Sequence, residues 1–337
     1  MATADAPVDD ALRDVAVTAL REAGLLDGAP VLEPLAGGVS NDVVVVRAGA
    51  TAFVVKRALT RLRVAEVWEA SAERSYTEAA ALRWAHGVAP DAVPRVVAVD
   101  RRHGVLVLEL APAGYGDWKR QLLAGDVRPE VGARLGAVLA AWHVASASDP
   151  GVLAEFGDQE AFRQLRLDPF YAVAAERNPA AAPAIAALVD RMTGTRTCLV
   201  HGDFSPKNVL VEPVVDGGLW VIDWEVAHAG DPVFDVAFLL HHLLGKIVAR
   251  PEHRDELKAT AERFVRTYAD RTRETLGVLP GRYLLAHTAA LLLARVDGRS
   301  PVDYFTADQR DSARALALDM LRETPDGVDE LWRMTSV

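Results

Sequence analysis

The stretch Leu199-Val-His-Gly-Asp-Phe-Ser-Pro-Lys-Asn-Val-Leu-Val211, followed by Val221-Ile-Asp-Trp224, decides how this chain is read. Its β-branched runs predict short strands at Cys198–His201, Val209–Glu212 and Trp220–Ile222, with Asp216-Gly217-Gly218 as a hairpin turn between the last two. Asp203 then leaves one strand for a loop, Asn208 stands five residues on where the loop returns to a strand, and Asp223 ends the third strand. A single Asp at a strand end is ordinarily a turn or cap residue. Three oxygen-bearing side chains at the mouth of one β island can instead converge on one small volume.

Phosphoryl transfer needs such groups: one carboxylate to orient the attacking hydroxyl and take its proton, and oxygen ligands to hold Mg²⁺ across the phosphates. Asp203 is the candidate catalytic residue, and Asn208 and Asp223 are the candidate metal ligands. His201 is expected to brace the loop. Asp231 and Asp235 are expected to fix its backbone, with Asp235 a candidate helix N-cap. Lys207 is either a cation near the transferred phosphoryl or a solvent-facing loop residue.

Upstream, Asp10 to Leu26 reads as an amphipathic helix, and three β-branched runs follow at Val31–Leu35, Asn41–Arg47 and Thr51–Arg57, the last two joined by Ala48-Gly49-Ala50. Glu66–His86 has helical periodicity up to the stop signal Gly87, and strands are expected at Arg95–Asp100 and Val105–Leu110. The Pro/Gly-rich run at 111–116 reads as a hinge, dividing an amino-terminal lobe (1–110) from a helical lobe (117–337). Beyond it, helices are expected at Trp118–Ala124, Glu130–Ser146, Gln159–Glu176, Ala182–Met192, Phe234–Val248, Glu252–Thr275, Tyr283–Val296 and Ala307–Arg322. The fold class is α+β and bilobal.

Taken together, HGDFSPKNVLV and VIDWEVAHAGDPVFDVAFLL resemble the aminoglycoside phosphotransferase family, which includes choline-kinase-like and other small-molecule kinases of the protein-kinase-like fold. His201-Gly202-Asp203 to Asn208 follows the H-x-D-x-x-x-x-N pattern, with Asp223-Trp224-Glu225 in the place of D-F-G. Trp224 departs from the Phe of that motif. The resemblance implies an ATP- or GTP-binding site with Mg²⁺. Phe53-Val-Val-Lys56 resembles V-A-I-K, with Glu78 as the ion-pair partner of Lys56. Gly37, Gly38 and Ser40 would approach the phosphates, because glycines there permit close backbone contact. Glu109 and Ala111 would meet the adenine edge through their main chain.

Composition sets the outer bounds. At 337 residues the chain is two domains' worth or one large bilobal unit. It is 50% apolar and 25% charged, which excludes disordered and collagenous classes. With 37 basic against 47 acidic residues the net charge is −10, the wrong sign for a nucleic-acid binder and one that favours a cationic acceptor by long-range steering. The single cysteine, Cys198, excludes an intrachain disulfide and reads as a buried small hydrophobe. The start lacks the basic and apolar regions of a secretory leader, and Val236–Leu240 and Leu284–Ala294 are too short to span a membrane. A cytoplasmic monomer or homodimer acting on a small-molecule hydroxyl is therefore expected, with no nucleic-acid or membrane partner. A nucleotide-binding pseudokinase and a protein kinase are the competing readings. The adjacent His241 and His242 are expected to be structural, since neighbours on a helix point apart. The polar segment Arg295–Tyr304 either reaches over the acceptor or is an ordinary turn.

Overall fold

A computed structural model describes residues 10–26, 28–35, 40–49, 51–63, 68, 70–214 and 217–334. The chain opens with α1 (Asp10–Glu22), β1 (Val31–Pro34), β2 (Asn41–Ala48), β3 (Thr51–Ala58), α2 (Arg74–Val88), β4 (Val96–Asp100) and β5 (Val105–Glu109). The five strands form one antiparallel sheet in the order β1-β2-β3-β5-β4. Ala48 pairs with Thr51 across a two-residue turn, for which Gly49 takes a φ of 58°.

Alternation along the strands decides what each face touches. Val44, Val46, Val55, Val105 and Val107 pack on Leu12, Ala16 and Leu20 of α1. Leu106 and Leu108 point the other way, into a larger core with Leu82 and Ala85 of α2. Lys56 is paired with Leu106, so it stands on the α2 face of the sheet.

The helix expected from Glu66 begins only at Arg74. Ahead of it the backbone is spent on strand-like bonds, Leu62 N–H to Trp68 O at 2.8 Å and Ala70 N–H to Thr60 O at 3.1 Å, and Trp68 is buried. Tertiary pairing here overrides local helical preference.

Next come β6 (Gly116–Asp117), α3 (Trp118–Ala124), α4 (Pro129–Ala147), α5 (Pro150–Glu155) and α6 (Glu160–Phe162), which runs through a π-helical stretch, Arg163–Ala172, into α7 (Val173–Arg177). After α8 (Ala182–Thr193) lie β7 (Cys198–Val200), β8 (Val209–Val211), β9 (Leu219–Val221) and β10 (His228–Gly230). The chain continues through α9 (Val233–Ala249), α10 (Arg254–Leu276), α11 (Gly281–Asp297), α12 (Ala307–Arg322) and α13 (Val328–Met334). Among the described residues no helix is long and apolar enough to cross a membrane.

The single β island expected around the motif is two ladders. β8 pairs with β9 and with β6, which comes straight from the 111–116 run, while β7 pairs with the unforeseen β10. The helical part is organised by α9, buried at every position from Val233 to Ile247, and by the close crossing of α4 with α10. At that crossing a Cβ on Gly132 would lie 2.2 Å from Thr260 O and one on Gly136 would lie 2.5 Å from Phe264 O, so only glycine fits.

Candidate active site

Lys56 reaches across the cleft from β3. Its Nζ lies 2.7 Å from Glu78 Oε2 on α2 and donates to Asp223 Oδ1, after the end of β9. Burial alone would lower the Lys56 pKa, but the carboxylates of Asp223, Glu78 and Glu225 outweigh it and hold the ammonium protonated. Burial pushes the Glu78 carboxyl up against the pull of Lys56. Asp223 is held well below the usual carboxylate range, Lys56 and Lys207 overcoming its own burial. Its φ of 70° is a left-handed conformation that Asp tolerates better than most residues, and it turns the chain at the strand end.

Asp203 is buried in the loop after β7. Its Oδ2 lies 2.9 Å from Arg166 Nη2 and 2.8 Å from Lys207 Nζ. Burial raises its pKa, but Arg166 and then Lys207 reverse the sign, so the carboxyl stays ionised. Lys207 thus reaches back onto Asp203 although its side chain is half exposed. Asn208 donates from Nδ2 to Asp203 O at 3.0 Å, leaving its Oδ1 as an acceptor.

The loop is held from behind. The buried Asp235 accepts from His201 N–H at 2.7 Å and Gly202 N–H at 2.9 Å, and from His143 Nε2 at 3.2 Å. The other nitrogen of His143 meets the Tyr268 hydroxyl at 2.8 Å, linking α4 to α10. These bonds outweigh burial and hold Asp235 below the usual carboxylate range. His201 Nδ1 accepts from Asp203 N–H at 3.1 Å and its Nε2 meets Ile222 O at 3.2 Å, while burial lowers its pKa, so it braces two loops as a neutral ring. Asp235 is not the N-cap of α9, lying inside its first turn. Asp231 instead accepts from Val233 N–H at 2.9 Å and from Tyr283 Oη at 3.0 Å.

Three participants were not expected from the sequence. Arg166 emerges from the π-helical stretch, and its Nε also donates to Gly202 O at 2.7 Å. Its signal was a charge among Phe162, Leu165 and Phe170 on an apolar face. Glu225, two residues past Asp223, is buried and accepts from Arg74 Nε at 3.0 Å and from Asn41 Nδ2 at 2.9 Å. Arg74, one turn before Glu78, also donates to Ser40 O at 2.6 Å and Leu59 O at 2.8 Å.

The structure therefore brings together Lys56, Glu78, Asp203, Asn208 and Asp223. Ser40 stands at the start of β2, where its carbonyl is held by Arg74. Gly37 and Gly38 lie outside the described residues. Glu109 ends β5 with its N–H bonded to Arg95 O at 3.0 Å, and Ala111 follows two residues on. Cys198 is buried in β7, and burial raises its thiol pKa well above the ordinary value. His241 and His242 are buried in α9 with their pKa values well below the ordinary one because of burial, in keeping with structural residues.

A family profile described as the phosphotransferase enzyme family matches residues 31–276, most of the chain and all five residues just named. The chain belongs to this family. Among curated relatives, the phosphotransferase is 25% identical over 287 residues to methylthioribose kinase 1 of Oryza sativa subsp. japonica, covering 74% of the chain and 65% of that protein. The chain thus spans about two-thirds of the length of that relative. Its fold is shared with a choline/ethanolamine kinase family protein from Mesorhizobium loti, with a TM-score of 0.53 at 20% identity over 97% of this chain and 100% of that one. It is also shared with an aminoglycoside-3'-phosphotransferase of type VIII, with a TM-score of 0.54 at 22% identity over 85% and 98% of the two chains. The bilobal kinase-like fold expected from the motifs is therefore the fold of this phosphotransferase.

Proposed function

We propose that this phosphotransferase is a small-molecule kinase that moves the γ-phosphoryl group of ATP, or of GTP, to a hydroxyl of a small acceptor. One observation carries the reading: a buried, protonated Lys56 is held between Glu78 and Asp223, in the same cleft as an ionised Asp203. Lys56 would hold the α- and β-phosphates and Glu78 would hold Lys56. Asp203 would orient the acceptor hydroxyl, stay ionised through its contacts with Arg166 and Lys207, and take the proton as the O–P bond forms. Lys207, already on Asp203, would offset charge developing on the transferred group. The 111–116 run would act as the hinge between an amino-terminal lobe and a helical lobe, with Glu109 and Ala111 offering backbone groups to the base and Gly37, Gly38 and Ser40 lying near the phosphates.

The donor set suits Mg²⁺. Asn208 and Asp223 present hard oxygen ligands, and carboxylate oxygens of Glu78, Asp223 and Glu225 lie within 4.8 Å of one another. Bound between Asn208 and Asp223, the ion would neutralise charge on the phosphate oxygens.

The acceptor belongs to the set of aminoglycosides and other antibiotics, sugars and amino alcohols, and the name of the rice relative adds a thio-sugar. A Mg-ATP consumption screen across that set tests the reading, with Asp203→Asn as its control. The variant should bind nucleotide as the wild type does and lose about 10²–10⁴ in turnover. Undiminished turnover would remove Asp203 from the mechanism. Nucleotide binding without turnover on any acceptor would favour a pseudokinase, and label transfer to protein would favour a protein kinase.

A further inference from the structure

α9 carries a lysine that the chemistry above does not use. Lys246 is wholly buried, and its hydrogen-bond partner among the described residues is the carbonyl of His242, one turn back on its own helix, at 3.4 Å. Among the described residues no carboxylate lies within ion-pair distance of it. A buried ammonium with no counter-charge is costly. Its pKa falls to about 7, through burial first and then through the positive charges of Lys119 and Arg295.

Arg295, at the end of α11, is in a similar position. One terminal nitrogen donates to Ser300 Oγ at 3.1 Å, but its buried Nε has no partner. Its guanidinium lies 5.5 Å from the centre of the Phe170 ring, and that of Arg166 lies 5.7 Å from the same ring while contacting Asp203. Arg166 also lies 5.4 Å from the ring of Phe238, which packs on His241 and His242 of α9. The unused cations therefore stand directly behind the Asp203 cluster.

Acids in this corner are already engaged. Asp203 is held by Arg166 and Lys207, Asp303 lies 3.5 Å from Lys119, and Asp117 accepts from the first turn of α3. The Arg295–Tyr304 segment folds back here, with Val302 N–H bonded to Arg295 O at 2.9 Å and the Tyr304 ring centre 5.6 Å from Lys246 Nζ. An aromatic face offsets part of a cation's cost but does not replace an anion.

We propose that the corner beside Asp203 is an acceptor subsite and that the acceptor carries, besides its hydroxyl, an anionic group, a carboxylate or a phosphate, met by Lys246 and Arg295. The inference rests on the reading of Asp203 as the residue that orients the hydroxyl. An anion supplies the counter-charge that the fold withholds, and charge-assisted bonds in such a site are strong. A quaternary or polyamine acceptor would add positive charge where it is already in excess. The net charge of −10 acts over the whole surface and in the opposite sense, but it governs encounter, whereas the bound acceptor meets the local field.

The test uses hydroxycarboxylic acids and phosphorylated alcohols, each beside its neutral amide or unphosphorylated alcohol, with aminoglycosides and choline as the cationic arm. Binding is measured by calorimetry at saturating Mg²⁺ and a non-hydrolysable ATP analogue, and turnover by ADP release with Mg-ATP. The proposal expects binding by anionic members. Lys246→Met, a replacement of similar length that removes a buried charge, and Arg295→Lys, which keeps charge, should each weaken that binding by roughly tenfold or more without changing nucleotide Kd. Binding confined to neutral or cationic members, no anion binding anywhere in the panel, or equal anion affinity in wild type and both variants would overturn it. An anion that binds but is never phosphorylated would count against the kinase reading while leaving the subsite in place.

Discussion

Arg74 is the residue whose removal should be felt furthest. Its side chain is fully buried, and it joins Glu225, after β9, to the backbone on both sides of the β2–β3 hairpin through Ser40 O and Leu59 O. Arg74→Met removes those bonds and leaves the Glu225 carboxylate buried with Asn41 as its remaining hydrogen-bond donor. Deleting one partner of a buried ion pair costs about 3–5 kcal/mol, most of it the stranded charge. An unfolding entropy of about 2.1 cal/mol/K per residue gives roughly 0.7 kcal/mol/K for a chain of this length, so Tm should fall by about 4–7 °C. Calorimetric melts of wild type, Arg74→Met, Glu225→Leu and the double variant measure it. The double variant should recover part of the loss, because its carboxylate is gone as well. A drop below about 1 °C, or a double variant no better than Arg74→Met, would refute the assignment of Glu225 as the charge that Arg74 neutralises.

Other consequences follow from neighbouring groups. Lys56→Met should raise nucleotide Kd by about tenfold or more while leaving acceptor binding unchanged in equilibrium titrations, since Lys56 is the cation proposed to hold the phosphates. Gly202→Ala should lower both Tm and turnover, because φ is 76° there and a Cβ would lie 2.6 Å from Val226 O; a melt and an ADP-release assay would detect this. Asp235→Asn should destabilise the fold by about 3 kcal/mol or more near neutral pH, since it weakens charge-assisted bonds to His201 and Gly202. Asp235 has a depressed folded pKa, so its stabilisation is present above the unfolded Asp value of about 3.9 and is lost as pH falls through the folded value. Denaturant titrations should therefore show wild type and Asp235→Asn converging towards acid.

The sheet and the motif loop were legible because their signals are local. β-branched runs bounded by Gly and polar turns mark strands, and the thirteen-residue stretch from Leu199 places Asp203 and Asn208 by spacing alone. Lys56 and Glu78 were legible as a pair because alternation puts Lys56 on the face that α2 covers. Long-range pairing was hidden. The start of α2 moved to Arg74 because the chain from Thr60 to Ala70 bonds to itself, and β10 exists only because β7 lies opposite it. Arg166 and Glu225 were missed because their roles depend on which distant groups they meet, as with Arg166 and Asp203, or Glu225 and Arg74. Lys246 looked like an ordinary helix lysine until α9 proved buried all round.

The glycines of α4 have a reach beyond their own crossing. Gly136 lets Tyr268 of α10 come close enough to touch His143, and His143 steadies the carboxylate that grips the His201–Gly202 backbone. A single added methyl on the far side of the helical lobe would pry these layers apart and carry the disturbance, one hydrogen bond at a time, to the peptide unit from which Asp203 is hung. The spacing of two helix backbones is in that sense a gauge for the position of the reacting oxygen.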